Sequence, residues 1–103
     1  MTIAFVKPLA QANFPAKTAS YSGTAASTGT WDTGAPGVLV WTSTASHVVV
    51  GEGVTATTSS TPIPANTPIA FQVPVGTGGA WRVSAIQVSG GSSGVLYAKP
   101  MNE

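Results

Sequence analysis

The hydrophobic positions of the chain fall into short runs that are typical of β-strands. Between Gly37 and Val75, runs of β-branched and aromatic residues alternate with glycine, proline, serine and asparagine, which is the pattern of strands separated by turns. Apolar residues do not recur there at the three- and four-residue spacing that an amphipathic helix requires. The chain is therefore predicted to be a single all-β domain with antiparallel strands.

Individual strands can be placed from these runs. The predicted strands are residues 38–42, 46–50, 54–57, 69–73, 80–89 and 95–98. Their spacing of roughly ten residues is typical of a sandwich or barrel. We expect residues 80–89 to form the longest strand, with a β-bulge or a strong bend where the apolar parity changes after Ala85. We expect residues 59–68, with three prolines, to form a corner between sheets, and Pro100 to close the last strand.

One predicted strand is apolar on both of its faces. Val38 and Val40 alternate with Leu39 and Trp41. Because successive side chains of a strand point to opposite faces, this strand is expected to be covered on each side.

The first twenty residues are predicted to form an extended N-terminal arm. The short apolar run at residues 3–6 is stopped by Lys7 and Pro8, which suits an edge strand or a docked arm. The following segment is rich in alanine and interrupted by Pro15, so an extended conformation is favoured over a very short helix. The predicted division is an arm, residues 1–20, and a β-sandwich, residues 21–103.

The segment from Tyr21 to Pro36 allows two interpretations. It is poor in large apolar residues except Trp31. In the first interpretation it is a long loop whose tryptophan packs against the core. In the second, the loop binds a partner, because loops of this length are uncommon in compact domains unless they have a function.

The composition restricts the classes of partner. Charged residues make up 7% of the chain and the net charge is +1, whereas about a quarter of an ordinary soluble domain is charged. A nucleic-acid surface needs clustered lysine and arginine, and a membrane-surface role needs a basic amphipathic helix; neither is present. With so little charge to keep copies apart, the surface is expected to be either coated by hydroxyls or covered by a partner, and we favour partial cover by a partner.

The chain contains no cysteine, so disulfides and thiolate metal sites are excluded. No apolar run approaches the length of a transmembrane helix, and the start of the chain lacks the features of a signal peptide. We therefore expect the protein to be made and used in a cytoplasm, or to leave it as part of something larger.

Few residues are candidates for catalysis, so we expect no enzyme activity, no cofactor and no metal. The chain has one histidine, His47, and no spacing brings Asp32 or Glu52 towards it. Residues 90–94 match the G-x-S-x-G pattern. That motif requires a strand that turns into a helix, with a histidine downstream. Here a strand is predicted to follow and the histidine lies upstream, which indicates a chance match.

The three tryptophans suggest a different kind of site. Exposed aromatic rings on a β-sandwich can stack on sugars, so a glycan-binding module is an alternative. Trp41 and Trp81 lie in apolar strands and are expected in the core, whereas Trp31, flanked by small polar residues, is the best candidate for exposure.

The order of features from Gly37 onward resembles a known protein class. It runs through the Val38-Leu39-Val40 strand, residues 54–58, the proline corner at 61–65, residues 83–86 and the final segment at 94–97. This order is similar to that of the small β-sandwich virion proteins of tailed bacteriophages, above all the capsid decoration or cement proteins. The resemblance covers about three-fifths of the chain and none of the first 36 residues.

The resemblance implies a jelly-roll-like β-sandwich that binds the outside of an assembled phage capsid and cements neighbouring subunits. Its implied partners are the major capsid protein and further copies of itself, as a homodimer or homotrimer, with no nucleic acid and no membrane. Its implied location is the capsid surface of the virion, after synthesis in the host cytoplasm. The alternative is a glycan-binding module of a phage head fibre or tail spike. The predicted partner-binding residues are Ile3, Phe5, Val6, Phe14, Tyr21 and Trp31.

Overall fold

The computed structural model of the chain describes residues 6–74 and 79–102. These residues form eight strands: β1 (Lys17–Tyr21), β2 (Ala26–Ser27), β3 (Gly37–Thr42), β4 (Ser46–Gly51), β5 (Thr61–Ile63), β6 (Ile69–Gln72), β7 (Arg82–Gln87) and β8 (Gly94–Met101). The described residues contain no helix that could cross a membrane.

The strands form two four-stranded antiparallel sheets. Sheet A has the order β1-β8-β3-β6, and sheet B has the order β2-β7-β4-β5. Buried residues of both sheets form one hydrophobic cluster. The prediction of an all-β, antiparallel fold is therefore confirmed, and the two layers are consistent with a β-sandwich.

Alternation of side chains along the strands explains the core. In β3, Val38 and Val40 are buried while the residues between them are only half-buried. Val48 and Val50 of β4 point inward in the same way, as do Val83 and Ala85 of β7 and Leu96 and Ala98 of β8. Each strand therefore has one face in the core and one face turned outward, as the two-residue period requires.

The last strand is longer than the sequence suggests. Eight residues belong to β8, which continues through Pro100 to Met101, whereas β7 has six. The predictions that residues 80–89 are the longest strand and that Pro100 closes the last one are wrong. Pro100 O accepts from Leu9 N–H, which lies on the side of β8 opposite to β3. Because the N and O of one strand residue point to the same side, the nitrogen of Pro100 also faces away from β3. Its missing N–H therefore removes no bond between β3 and β8.

Two predictions around the proline-rich corner are also wrong. Residues 54–57 are not a strand, because their backbone bonds to side chains of β7: Val54 O accepts from Arg82 Nε, and Ala56 N–H donates to Ser84 Oγ. Conversely, β5 lies inside the predicted corner. It is a strand at the edge of sheet B, where a proline can be accommodated.

The predicted β-bulge after Ala85 is absent. The pairing of β4 with β7 keeps one register from Ser46↔Gln87 to Gly51↔Arg82. Trp81 is buried, as expected, together with Val83 and Ala85, and Ile86 lies on the outer side of sheet B. The parity change reflects two apolar faces of one regular strand rather than an extra residue.

The predicted arm includes a strand of sheet A. Residues 17–20 belong to β1, which pairs with β8. Upstream, Pro8 forms an isolated bridge with Met101, and Leu9 and Phe14 pack against the core cluster. Residues 1–5 lie outside the described residues, so a contact between the arm and a partner stays a prediction.

Candidate interaction surface

The outer side of sheet A carries large apolar side chains from its two central strands, β3 and β8. Leu39 and Trp41 of β3 point away from the core, and the strand register places Trp41 directly opposite Tyr97 of β8, with Val95 two residues before it. Together Leu39, Trp41, Val95 and Tyr97 are called the aromatic face.

Trp41 and Tyr97 form the centre of this face. Their ring centroids are 5.3 Å apart and their planes differ by 12°. Cross-strand aromatic pairs of this kind stabilise a sheet by about 0.5–1.5 kcal/mol beyond the area they bury. Tyr97 remains 37% exposed, and the other three residues of the face are only half-buried.

The outer side of sheet A has little charge. Lys99 lies beside Leu39 in the register and belongs to the same side of the sheet. Its Nζ donates to Phe14 O over 2.6 Å, so this ammonium already has a partner within the chain. A protein surface that docks here meets apolar rings and small hydroxyls rather than a free cation.

The outer side of sheet B is partly covered by the chain itself. Residues 52–60, here called the covering loop, connect β4 to β5 and cross β7. Ser84 points outward from β7 yet is 0% exposed, because the covering loop lies over it. Its Oγ accepts from Ala56 N–H and donates to Ala26 O. His47, also on this side, is half-buried with Nδ1 3.0 Å from Ser60 O. The two sides of the molecule therefore differ, since Tyr97 on sheet A is left accessible.

The structure places the predicted partner-binding residues in different environments. Ile3 and Phe5 lie outside the described residues. Val6 is 71% exposed, and Phe14 is partly buried against the core cluster. Tyr21 and Trp31, by contrast, are each only 2% exposed.

Tyr21 holds the connection between β3 and β4. Its hydroxyl donates to Thr44 O at 2.9 Å, lies 2.6 Å from Thr44 Oγ1 and accepts from Thr44 N–H. Thr42 Oγ1 donates to Thr44 O, and Ser46 Oγ donates to Thr42 Oγ1. The hydroxyls of Tyr21, Thr42 and Ser46 and the backbone of Thr44 therefore supply one another's hydrogen-bond partners beneath the turn.

Trp31 is part of the core, so the prediction that its ring is exposed is wrong and the alternative, packing against the core, is confirmed. Its backbone exchanges two hydrogen bonds with Trp81, and the two ring centroids are 4.7 Å apart. Trp31 Nε1 donates to Pro15 O, and Trp81 Nε1 donates to Asp32 O. Both indoles therefore have partners for their polar atoms.

Sequence reasoning missed the aromatic face. Trp41 was expected in the core, but it lies on the outer side of sheet A. The signal was present in the alternation of Val38 and Val40 with Leu39 and Trp41. Apolar residues on both faces of a strand indicate cover on both sides, and that cover can come from another molecule as well as from the same chain.

A cavity of about 600 Å³ lies at one end of the two sheets. Its lining includes Val38, Val73, Trp81 and Met101 together with Glu52, whose Oε1 accepts from Gly79 N–H at 2.6 Å. The described lining contains a single carboxylate and no histidine, so it brings no acid–base pair together.

The residues considered for catalysis do not converge. His47 lies opposite Ile86, whereas Asp32 follows the bridge between Trp31 and Trp81. The two pairing partners, Trp81 and Ile86, are five positions apart in the sequence, or about 16 Å along the strand direction. The described residues contain no group of three His, Cys, Asp or Glu side chains able to hold a metal ion.

No protein-family model, no curated protein and no solved structure matches this chain.

Proposed function

We propose that this chain is a jelly-roll virion protein that binds the outside of an assembled phage capsid and cements neighbouring capsid subunits. In this proposal it is not an enzyme and takes no cofactor. The major capsid protein is its partner, and the capsid surface is its location after synthesis in the host cytoplasm.

The strand order carries the proposal. A jelly roll has eight strands in two antiparallel sheets, and sequential labels give the orders 1-8-3-6 and 2-7-4-5 when two Greek keys are wound together. The orders of sheets A and B correspond to this scheme. Jelly rolls occur in viral capsid proteins, lectins and cupins. This step is an analogy of fold, and the choice among these classes depends on the surface.

The surface favours a protein partner over a sugar or a metal. Cupins bind metal through clustered histidines, and this chain has a single histidine. Sugar stacking needs an accessible ring face, but Trp31 is buried, and Trp41 and Tyr97 each have one ring face occupied by the other. Tryptophan and tyrosine in an uncharged, apolar setting are instead typical of the centre of a protein interface.

Binding through such a face stabilises an assembled shell by mass action. If the site spans a seam between subunits, it exists only in the assembled lattice, so each bound copy favours assembly over the separate subunits. Such a function requires complementary surface and no reacting groups.

The proposal predicts that the isolated chain co-sediments with heads of the encoding phage from which this chain is missing. Tyr97→Arg should weaken this binding by at least roughly tenfold, because the interface would then enclose an unpaired charge. Fluorescence or gel quantification of the pelleted chain gives the affinity.

Thr58→Arg is the matched control. It adds the same charge to an exposed position of the covering loop, on the other side of the molecule, and should bind like the unmodified chain. Binding that is unchanged by Tyr97→Arg would contradict a role for the aromatic face. A chain that fails to bind heads, but gives a glycan-array signal, would favour the lectin class.

A further inference from the structure

The four outer strands of the two sheets differ in what their free edges offer. These strands are β1 and β6 in sheet A and β2 and β5 in sheet B. In an antiparallel pair, alternate residues point their N–H and C=O groups towards the partner strand, and the residues between them point away. The register and the flanking hydrogen bonds therefore identify the groups that each edge leaves open.

Proline restricts the edges of β5 and β6. Val73 N–H donates to Pro36 O. With the β3–β6 register, the backbone groups of Phe71 and Ile69 therefore face β3, and those of Ala70 and Gln72 face the free edge. On the same alternation, Pro68 and Pro74 occupy the outward positions on either side. In β5, Thr61 and Ile63 face β4, which leaves Pro62 outward. A proline in these positions cannot donate to an added strand.

The edge of β1 has no such block. Leu9 N–H donates to Pro100 O, and by alternation Ala98, Leu96 and Gly94 of β8 face β1. The backbone N–H and C=O groups of their partners, Lys17, Ala19 and Tyr21, therefore face β8. Those of Thr18 and Ser20 point the other way, out of the free edge of sheet A. Both residues are exposed.

We propose that this edge pairs with β1 of a second copy of the chain, antiparallel and across a two-fold axis at Ala19. Thr18 of one copy then lies opposite Ser20 of the other, and each such pair exchanges two backbone hydrogen bonds. Two pairs give four bonds in total. The inference goes beyond head binding and does not depend on it.

The side chains of β1 are complementary to themselves in this register. On the outer side, a threonine faces a serine in each pair, a cross-strand combination that can form hydrogen bonds. On the inner side, Ala19 meets Ala19 of the second copy and Lys17 lies opposite Tyr21. Lys17 Nζ is already bound to Thr30 O at 2.7 Å and lies 5.5 Å from the centre of the Trp31 ring. No like charges are placed opposite each other.

The pairing has a geometric result. A two-fold axis between antiparallel edge strands is perpendicular to the sheet, so sheet A continues into sheet A of the second copy as eight strands. The two aromatic faces then lie on the same side of the extended sheet. An interface of this kind is isologous and closes with two copies.

Sedimentation equilibrium on the purified chain, combined with amide hydrogen exchange, tests the pairing without phage heads. We expect a dimer in which the amides of Thr18 and Ser20 are protected, and their protection should fall as the chain is diluted. A monomer at every concentration would overturn the proposal. So would a dimer in which these two amides exchange as fast as those of exposed loops.

Ser20→Pro should weaken dimerisation by at least roughly tenfold, because it removes an N–H from each of the two pairs. Ala70→Pro is the matched control, since it places proline at an outward position of the opposite edge of sheet A and should leave the dimer intact. Equal effects of the two variants would contradict the assignment of the edge. Circular dichroism confirms that each variant is folded.

A charge exchange tests the register without proline. Thr18→Lys combined with Ser20→Lys places lysine opposite lysine at both pairs and should abolish the dimer. Thr18→Lys combined with Ser20→Glu places opposite charges across the axis and should retain it. Dimers that tolerate the first double variant as well as the second would overturn the register.

Discussion

At the scale of single residues, a few hydroxyls fix the connection between β3 and β4. Tyr21 bonds to the backbone of Thr44 on both its N–H and its C=O. Gly94 lies against the same cluster, and a β-carbon there would be 2.5–2.7 Å from oxygens of Thr44, Tyr21 and Ser43. The absence of a side chain at Gly94 therefore allows the tyrosine to reach the turn.

Tyr21→Phe should destabilise the chain by about 1–3 kcal/mol, because Thr44 N–H loses its acceptor and Thr44 O keeps only the bond from Thr42 Oγ1. Urea unfolding followed by tryptophan fluorescence measures the change. Tyr97→Phe, at the exposed tyrosine, is the control and should stay within about 0.5 kcal/mol of the unmodified chain. Equal stabilities of the two variants would contradict the role of the Tyr21 hydroxyl.

Sequence alone could not assign Trp31 and Trp41 to the core or to the surface. Trp31 has small polar neighbours in the chain but lies in the core, because its backbone pairs with Trp81 fifty residues later. Trp41 has apolar neighbours but points outward. Burial of a large side chain depends on pairing between distant segments, which local composition does not report.

At the scale of elements, the pairing of Trp31 with Trp81 extends the short pairing of β2 with β7. Only two residue pairs join β2 to β7, and Thr28 N–H then donates to Val83 O before the tryptophan bridge. The two indole rings, tilted by 32° to each other, add buried apolar area where the ladder itself is short. The loop after β2 is thereby fixed to the core.

Trp31→Ala should lower the free energy of unfolding by about 3–5 kcal/mol, because it leaves a cavity beside Trp81. Trp41→Ala removes a half-buried ring and should cost less, about 1–2 kcal/mol. Thermal unfolding by circular dichroism compares the two variants. A larger loss for Trp41→Ala would mean that the assignment of core and surface is reversed.

Strands with regular alternation were predictable, and those in irregular contexts were not. The apolar runs of β3, β4 and β6 gave these strands nearly their observed bounds. The run at residues 54–57 also contains β-branched residues, but its backbone forms hydrogen bonds with the side chains of Arg82 and Ser84 and not with a neighbouring strand. The short β5 was missed because proline argues against a strand unless the edge position is known.

At the scale of the whole molecule, the two outer sides differ in what covers them. The covering loop crosses sheet B, whereas Tyr97 of the aromatic face on sheet A stays exposed. The two-layer, all-β class was predictable from composition and spacing. The strand order, and therefore the side left uncovered, was not predictable because it depends on contacts between residues far apart in the chain.

The scarcity of charge predicts how head binding responds to salt. The chain has seven charged residues among 103, and Lys99, beside the aromatic face, is already bonded within the chain. Raising the ionic strength should therefore change the affinity for heads by less than roughly twofold, since screening acts on exposed charges. Co-sedimentation across a salt series measures this, and a steep loss at high salt would indicate an electrostatic interface instead.

The prolines at the outward positions of β5 and β6 have a consequence for crowded conditions. Molecules held side by side at high local density can add strand to strand without limit when two opposite edges are both open. Here one end of sheet A offers only Ala70 and Gln72 between two prolines. Growth that begins at β1 meets two prolines at the opposite edge of sheet A, where a strand added to β6 would lack their N–H donors, and this opposes continued growth of the sheet.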